Sequence, residues 1–202
     1  MRRMIRKLLI AILVLASSGI SSVQAQELPR TPPPKRKFKY DGKIETTYDK
    51  SKDRSMVFFK LMPIKALEDP KGPNEVQFSE ERLELTAYFA YPGQRLVTPQ
   101  WVTIAFLFTT ENPQKYTDHV MEVKADDQKV RLGTLKVLSR INAARRGKLP
   151  LISETMELPI PYQQFLLLAN AKKLKMRLGS VEFDLEKQHL EAIRDLAANT
   201  VP

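Results

Sequence analysis

The sequence predicts a mainly β protein: an antiparallel two-layer sandwich or curled sheet of about seven to nine strands, with a short helix near 161–170 and a C-terminal amphipathic helix at about 185–198. Three observations predict it. Apolar and polar residues alternate with period two in several segments between residue 82 and residue 185. Those segments are rich in β-branched and aromatic residues and are separated by clusters of Pro, Gly, Asn and Asp. A 3.6-residue period takes over only after Asp184.

The chain begins with Arg2, Arg3, Arg6 and Lys7, the apolar run LLIAILVLA at 8–16, and small or polar residues ending in Val23-Gln24-Ala25. This is the pattern of a cleaved signal peptide over 1–25, leaving Gln26 first in a mature chain exported to a periplasm or beyond. The run is about half the ~20 residues a membrane span requires, so no stable span is expected. Residues 26–40 combine four prolines with Arg30, Lys35, Arg36, Lys37 and Lys39, the composition of an extended, solvated basic linker. A single β-rich domain is then expected over 41–200.

Within that domain, 55–65 (SMVFFKLMPIK) is apolar on both parities, as in a strand covered on both faces, and Pro63 should end its pairing or mark an edge. The loop 68–75 follows. In 82–93, Leu83, Leu85, Ala87, Phe89 and Tyr91 should point inward, and Arg82, Glu84, Thr86 and Tyr88 outward. The 100–110 segment, with Val102, Ile104, Phe106 and Phe108 on one parity, is the candidate central strand. Residues 119–133 fit a hairpin about an Asp126-Asp127 turn, 134–139 continues it, 142–150 is a cationic loop, and 153–160 is another strand. Pro161 should sit in the first turn of the helix near 161–170. Leu190, Ile193, Leu196 and Ala197 stripe the last helix, with Asp184 as its expected N-cap.

One near-repeat stands out. KVRLGTLKV at 129–137 returns 46 residues later as KMRLGSVEF at 175–183. In each copy a half-buried strand meets a glycine that can take a positive φ or a bulge, and the cations beside it fall on the polar parity. The expectation is one glycine bend used twice.

The chemistry that the composition excludes is clearer than the chemistry it selects. With no cysteine there is no disulfide, thiolate nucleophile, thiolate metal site or lipid-bearing cysteine. The formal charge of +10 falls to +6 in the mature chain, because the signal holds four of the 33 Lys+Arg and none of the 23 Asp+Glu. For an exported protein this favours anionic envelope polymers or surfaces over nucleic acid. There is no GxSxG, SxxK or phosphate-binding glycine loop, and His119 and His189 lack ligand spacing and are expected at the surface or rim. No metal or cofactor is expected. The leading expectation is therefore an exported non-catalytic module that binds an envelope polymer or a partner protein. Its contacts would be Arg36 and Lys37 of the arm, Arg145 and Arg146 of the cationic loop, and Trp101, with Tyr88, Tyr91 and Tyr116 as further aromatics for stacking. The alternatives are a secreted hydrolase using scattered carboxylates or a histidine, and a carrier for a small apolar ligand.

Overall fold

In the computed structural model, residues 44–64, 82–111, 118–144 and 150–200 are described. Among them the alternating segments become eleven strands and two helices. The strands are β1 (Glu45–Asp49), β2 (Arg54–Phe58), β3 (Met62–Ile64), β4 (Arg82–Pro92), β5 (Trp101–Thr110), β6 (Val120–Ala125), β7 (Gln128–Thr134), β8 (Lys136–Ala143) and β9 (Leu151–Pro161), followed by β10 (Leu174–Leu178) and β11 (Val181–Asp184). The helices are α1 (Tyr162–Asn170), between β9 and β10, and α2 (Lys187–Ala198), after β11.

All pairing is antiparallel, as expected, and divides into two sheets. The larger has the order β1-β2-β4-β5-β9-β8, with β3 also on β4. The smaller has the order β11-β10-β6-β7. The predicted central strand is central: β5 lies between β4 and β9. Its inward residues Val102, Ile104, Phe106 and Phe108 are buried, as are Leu83, Leu85, Ala87, Phe89 and Tyr91 of β4. The smaller sheet turns Met121, Val123, Ala125, Leu174, Met176, Leu178 and Phe183 toward them. The two inner faces meet edge-on at Phe106 and Phe183, whose ring centroids are 6.1 Å apart. Each such side chain removed from water stabilises the fold by roughly 1.5–3 kcal/mol before entropic costs. The chain passes between the sheets through the single buried residue Leu135, whose N–H donates to the His119 carbonyl.

Several local expectations are corrected. The 55–65 segment is not one strand covered on both faces. Phe58 pairs with Tyr88 and Met62 with Leu85, so four steps on one strand match three on the other. That one-residue bulge switches the buried parity from Val57 and Phe59 to Met62 and Ile64. This split, together with short strands elsewhere, raises the count above the expected seven to nine. Thr86 and Tyr88 lie on the outward parity, as expected, but that face is covered and they are buried there: the Thr86 hydroxyl donates to the Phe59 carbonyl and the Tyr88 hydroxyl to Glu157.

Pro161 is the N-cap of α1 rather than part of its first turn. The cap of α2 is Glu186, not Asp184, which stays in β11. Glu186 and His189 close a reciprocal capping box, with the Glu186 N–H donating to His189 Nδ1 at 3.1 Å. His189 is consequently buried rather than at the surface, and its Nε2 lies 3.0 Å from the Pro63 carbonyl. Helix α2 thereby ties to the short strand β3.

Candidate functional site

The Lys-x-Arg halves of the two repeat copies lie in one sheet, on either side of the same strand, whereas the first copy ends in β8 of the larger sheet. β7 carries Lys129 and Arg131, β10 carries Lys175 and Arg177, and both pair antiparallel with β6. Alternation turns Met176, Leu178 and Val123 into the core, so the intervening charged residues all point to the opposite, solvent face. There the register aligns them in two rows across the sheet. One row is Asp184, Lys175, Lys124 and Lys129; the next is Glu182, Arg177, Glu122 and Arg131.

The charges on this face are not evenly matched. The Arg177 guanidinium donates to Glu122 at 2.5 Å, and the Lys175 ammonium lies 2.7 Å from Glu182. The second contact raises the pKa of Lys175 and lowers that of Glu182, each mainly through their shared hydrogen bond. The described residues offer no ion-pair partner to Lys124, Lys129 or Arg131. Lys124 and Lys129 stand directly opposite one another on adjacent strands. Like charges at such a pair destabilise a sheet, so the pair is a cost that the fold itself does not require.

Beyond the end of β6, on the side of the lysine row away from the arginines, Asp126 holds a positive φ of 51° in the β6–β7 turn. Its carboxylate accepts the backbone N–H groups of Lys172 and Lys173, at 3.0 and 2.9 Å to Oδ1. Those bonds, led by the one from Lys173, hold the carboxyl below the usual carboxylate range. They also place the exposed Lys172 and Lys173 beside the lysine row.

The glycines of the repeat do not form one bend used twice. Gly179, with φ 57°, makes the β10–β11 hairpin turn and approaches the Asp118 carbonyl closely. Gly133, with φ 138°, stays in β7 beside a register shift, against Leu158 of the larger sheet. What repeats is therefore the Lys-x-Arg strand. The shared polar parity of the cations was visible in the sequence. The fact that both strands adjoin β6 was not.

The expected contact residues are distributed differently. Arg36, Lys37, Arg145, Arg146 and Tyr116 lie outside the described residues. Trp101 opens β5, half-buried, opposite Pro161. It does not share a platform with Tyr91, which is in the core against Phe89 with ring centroids 6.2 Å apart. Tyr88 is buried on the other face of the sheet, its hydroxyl 2.7 Å from Glu157 Oε2. Burial, reinforced by that bond, pushes its pKa well up.

His119 acquires a carboxylate neighbour that no local spacing announced. Glu154 of β9 is buried on the core face, ion-paired with Arg140 of β8, and its Oε2 is 4.0 Å from His119 Nε2. That separation is too long for a hydrogen bond, and Arg140 already neutralises the carboxylate. The ion pair joins β8 to β9 within the larger sheet, and His119, just before β6, lies at the rim beside it. Among the described residues, no group of three or more His, Asp or Glu is placed to hold a metal ion, and no helix is long and apolar enough to cross a membrane. Comparison with protein-family models, curated proteins and solved structures gives no match to this chain.

Proposed function

We propose that this chain is an exported, non-catalytic module that holds an anionic component of the cell envelope on the solvent face of its smaller sheet. The observation that carries the reading is the Lys124–Lys129 cross-strand pair: two cations face each other without an ion-pair partner among the described residues, while Lys175 and Arg177 beside them are bonded to Glu182 and Glu122. Export is supported by the basic, apolar and small-residue succession over 1–25. The basic segment 26–40 adds cations to the same chain.

Co-sedimentation with fractionated cell envelope across a salt series tests this. The exported chain is expected to sediment at low salt and to be released as the Debye length contracts below about 10 Å, near 0.1 M salt. A Lys124→Glu/Lys129→Glu variant is expected to sediment less at every salt concentration, and a chain starting at Tyr40 should be weakened to a smaller degree. Unchanged sedimentation of the double variant would remove the sheet face from the reading. Mass analysis of the exported protein checks the address: a chain beginning at Gln26 is expected, and retention of Met1 would reject cleavage.

A further inference from the structure

We infer that the proline-rich segment preceding β1, residues 26–43, docks on its own chain, along the outward face of the larger sheet. There Phe58, Tyr88, Trp101 and Pro159 form a bed for the prolines and Glu157 receives a cation. The inference goes beyond the anionic-envelope reading and does not depend on it, because that reading concerns the other sheet.

The bed comes from the register. Phe58 stands opposite Tyr88, Tyr88 opposite Thr103 and Thr103 opposite Pro159, one row across β2, β4, β5 and β9. Two residues along on one side, Met56 faces Ala90 and Trp101 faces Pro161. Two residues along on the other, Thr86 faces Ala105 and Ala105 faces Glu157. Alternation turns all of these away from the core, to which their chain neighbours Val57, Phe89, Val102, Ile104 and Leu158 belong. Tyr88 and Ala105 are buried without joining that core, and Met56, Phe58 and Trp101 are half-buried without packing against it. The smaller sheet and both helices bury their apolar side chains in the core cluster, on the opposite face. Among the described residues, then, no helix or second sheet lays its apolar side chains on this bed.

The occupant comes from length, chemistry and charge. The described chain starts at Ile44 and enters β1 with Glu45 directly opposite Phe58, so the preceding segment meets the sheet at the end of the aromatic row. From β1 to β9 the row spans four strand spacings, roughly 19 Å. An extended proline-rich chain advances about 3.1 Å per residue, so Pro34, eleven residues before Glu45, has a reach of about 34 Å and covers the whole row. Asp41-Gly42 is a turn-forming pair where the chain has to fold back over the sheet. Pro29 and Pro32, three residues apart, fall on one edge of a polyproline helix, the spacing that aromatic-lined grooves receive. Glu157 supplies the polar anchor: it is 8% exposed, its Oε2 accepts the Tyr88 hydroxyl at 2.7 Å, and it has no ion-pair partner among the described residues. A buried carboxylate without a counter-charge is costly, and Arg30, Lys35 and Arg36 lie among and after the prolines. Of the charges bordering the bed, Glu45 is bonded to Lys60 at 2.7 Å, Asp49 stands opposite Arg54, and Lys136 stands opposite Glu157 without pairing with it. Tethering holds the prolines at an effective concentration on the order of millimolar, so a weak contact suffices.

The test uses the full exported chain, in which Trp101 is the single tryptophan and no native cysteine competes with an introduced one. A nitroxide attached through Thr31→Cys is expected to quench Trp101 emission to a degree independent of protein concentration. Adding Pro32→Ser/Pro33→Ser/Pro34→Ser should reduce that quenching at least about threefold and raise acrylamide quenching of Trp101 about twofold. Glu157→Gln keeps an acceptor for Tyr88 and removes the charge, and should reduce the nitroxide effect about twofold. Circular dichroism of each variant confirms that it is folded. Quenching that grows with protein concentration would put the segment on a second copy and overturn docking on its own chain. Nitroxide quenching that survives the proline changes would reflect tethering alone and overturn the bed. No quenching in the labelled parent would overturn the contact itself. An unchanged response in Glu157→Gln would overturn the charge anchor. None of these readouts involves an anion, so their failure is distinct from failure of the co-sedimentation test.

Discussion

At Gly179 the backbone leaves no room for a side chain. A Cβ there would lie 2.3 Å from the Asp118 carbonyl oxygen, and the φ of 57° disfavours any L residue. Gly179→Ala is expected to cost about 2–4 kcal/mol in urea unfolding, because strain and a backbone clash add. Gly93→Ala has the same sign of φ but nothing within 4 Å, and should cost only about 1 kcal/mol. Similar losses at the two positions would mean that the Asp118 approach is readily relaxed. Asp126 makes a different kind of prediction. Its folded pKa is depressed by the Lys173 and Lys172 amides, so its contribution is present above the ordinary carboxylate value and is lost as pH falls through the folded one. Asn tolerates the same positive φ, so Asp126→Asn isolates the charge. The stability gap between wild type and variant should be full at neutral pH and close below about pH 4. A gap independent of pH would assign the turn to geometry alone.

At the scale of the element, one inserted residue explains what composition left ambiguous. Residues 55–65 are apolar on both parities, a pattern that fits either a strand buried on both faces or two half-buried strands out of phase. The bulge between β2 and β3 selects the second arrangement. Deleting Lys60 would make the register against β4 continuous and keep Val57, Phe59, Met62 and Ile64 on one face. That deletion is expected to fold, with a loss of no more than about 2 kcal/mol, whereas deleting Ala105 from the middle of β5 should abolish folding by reversing half a central strand. An unfolded Lys60 deletion would show that the bulge is required, for instance to present the Phe59 carbonyl to Thr86. The same reasoning marks the limit of sequence legibility here. Alternation identified the inward residues of β4 and β5, because burial on one face writes period two directly into the chain. It was silent about bulges, which leave the same residues in the same order. It also misassigned the α2 cap, because the decisive partner of Glu186 is a histidine whose role depends on tertiary burial against Pro63.

For the whole molecule, the strands' faces were readable and their neighbours were not. Lys129, Arg131, Lys175 and Arg177 could be placed on a polar parity, but their gathering around Lys124 depends on β10 returning to β6 after β7, β8, β9 and a helix have intervened, and no local signal specifies that pairing. Long-range register also brings Glu154 to Arg140 and His119. The consequence is that the two sheets are not independent. They share one buried cluster, exchange the chain at Leu135, and touch at Phe106 and Phe183. The single tryptophan, Trp101, lies in the larger sheet and Phe183 in the smaller, which gives a direct test. Phe183→Ala should remove about 3–5 kcal/mol, and because unfolding is cooperative it should lower the Trp101 fluorescence midpoint and the far-ultraviolet circular dichroism midpoint by the same amount. If fluorescence kept the wild-type midpoint while circular dichroism lost amplitude early, the smaller sheet would melt alone. The cationic face would then be a separable layer rather than one side of a single folding unit, and anion binding would stabilise only that layer.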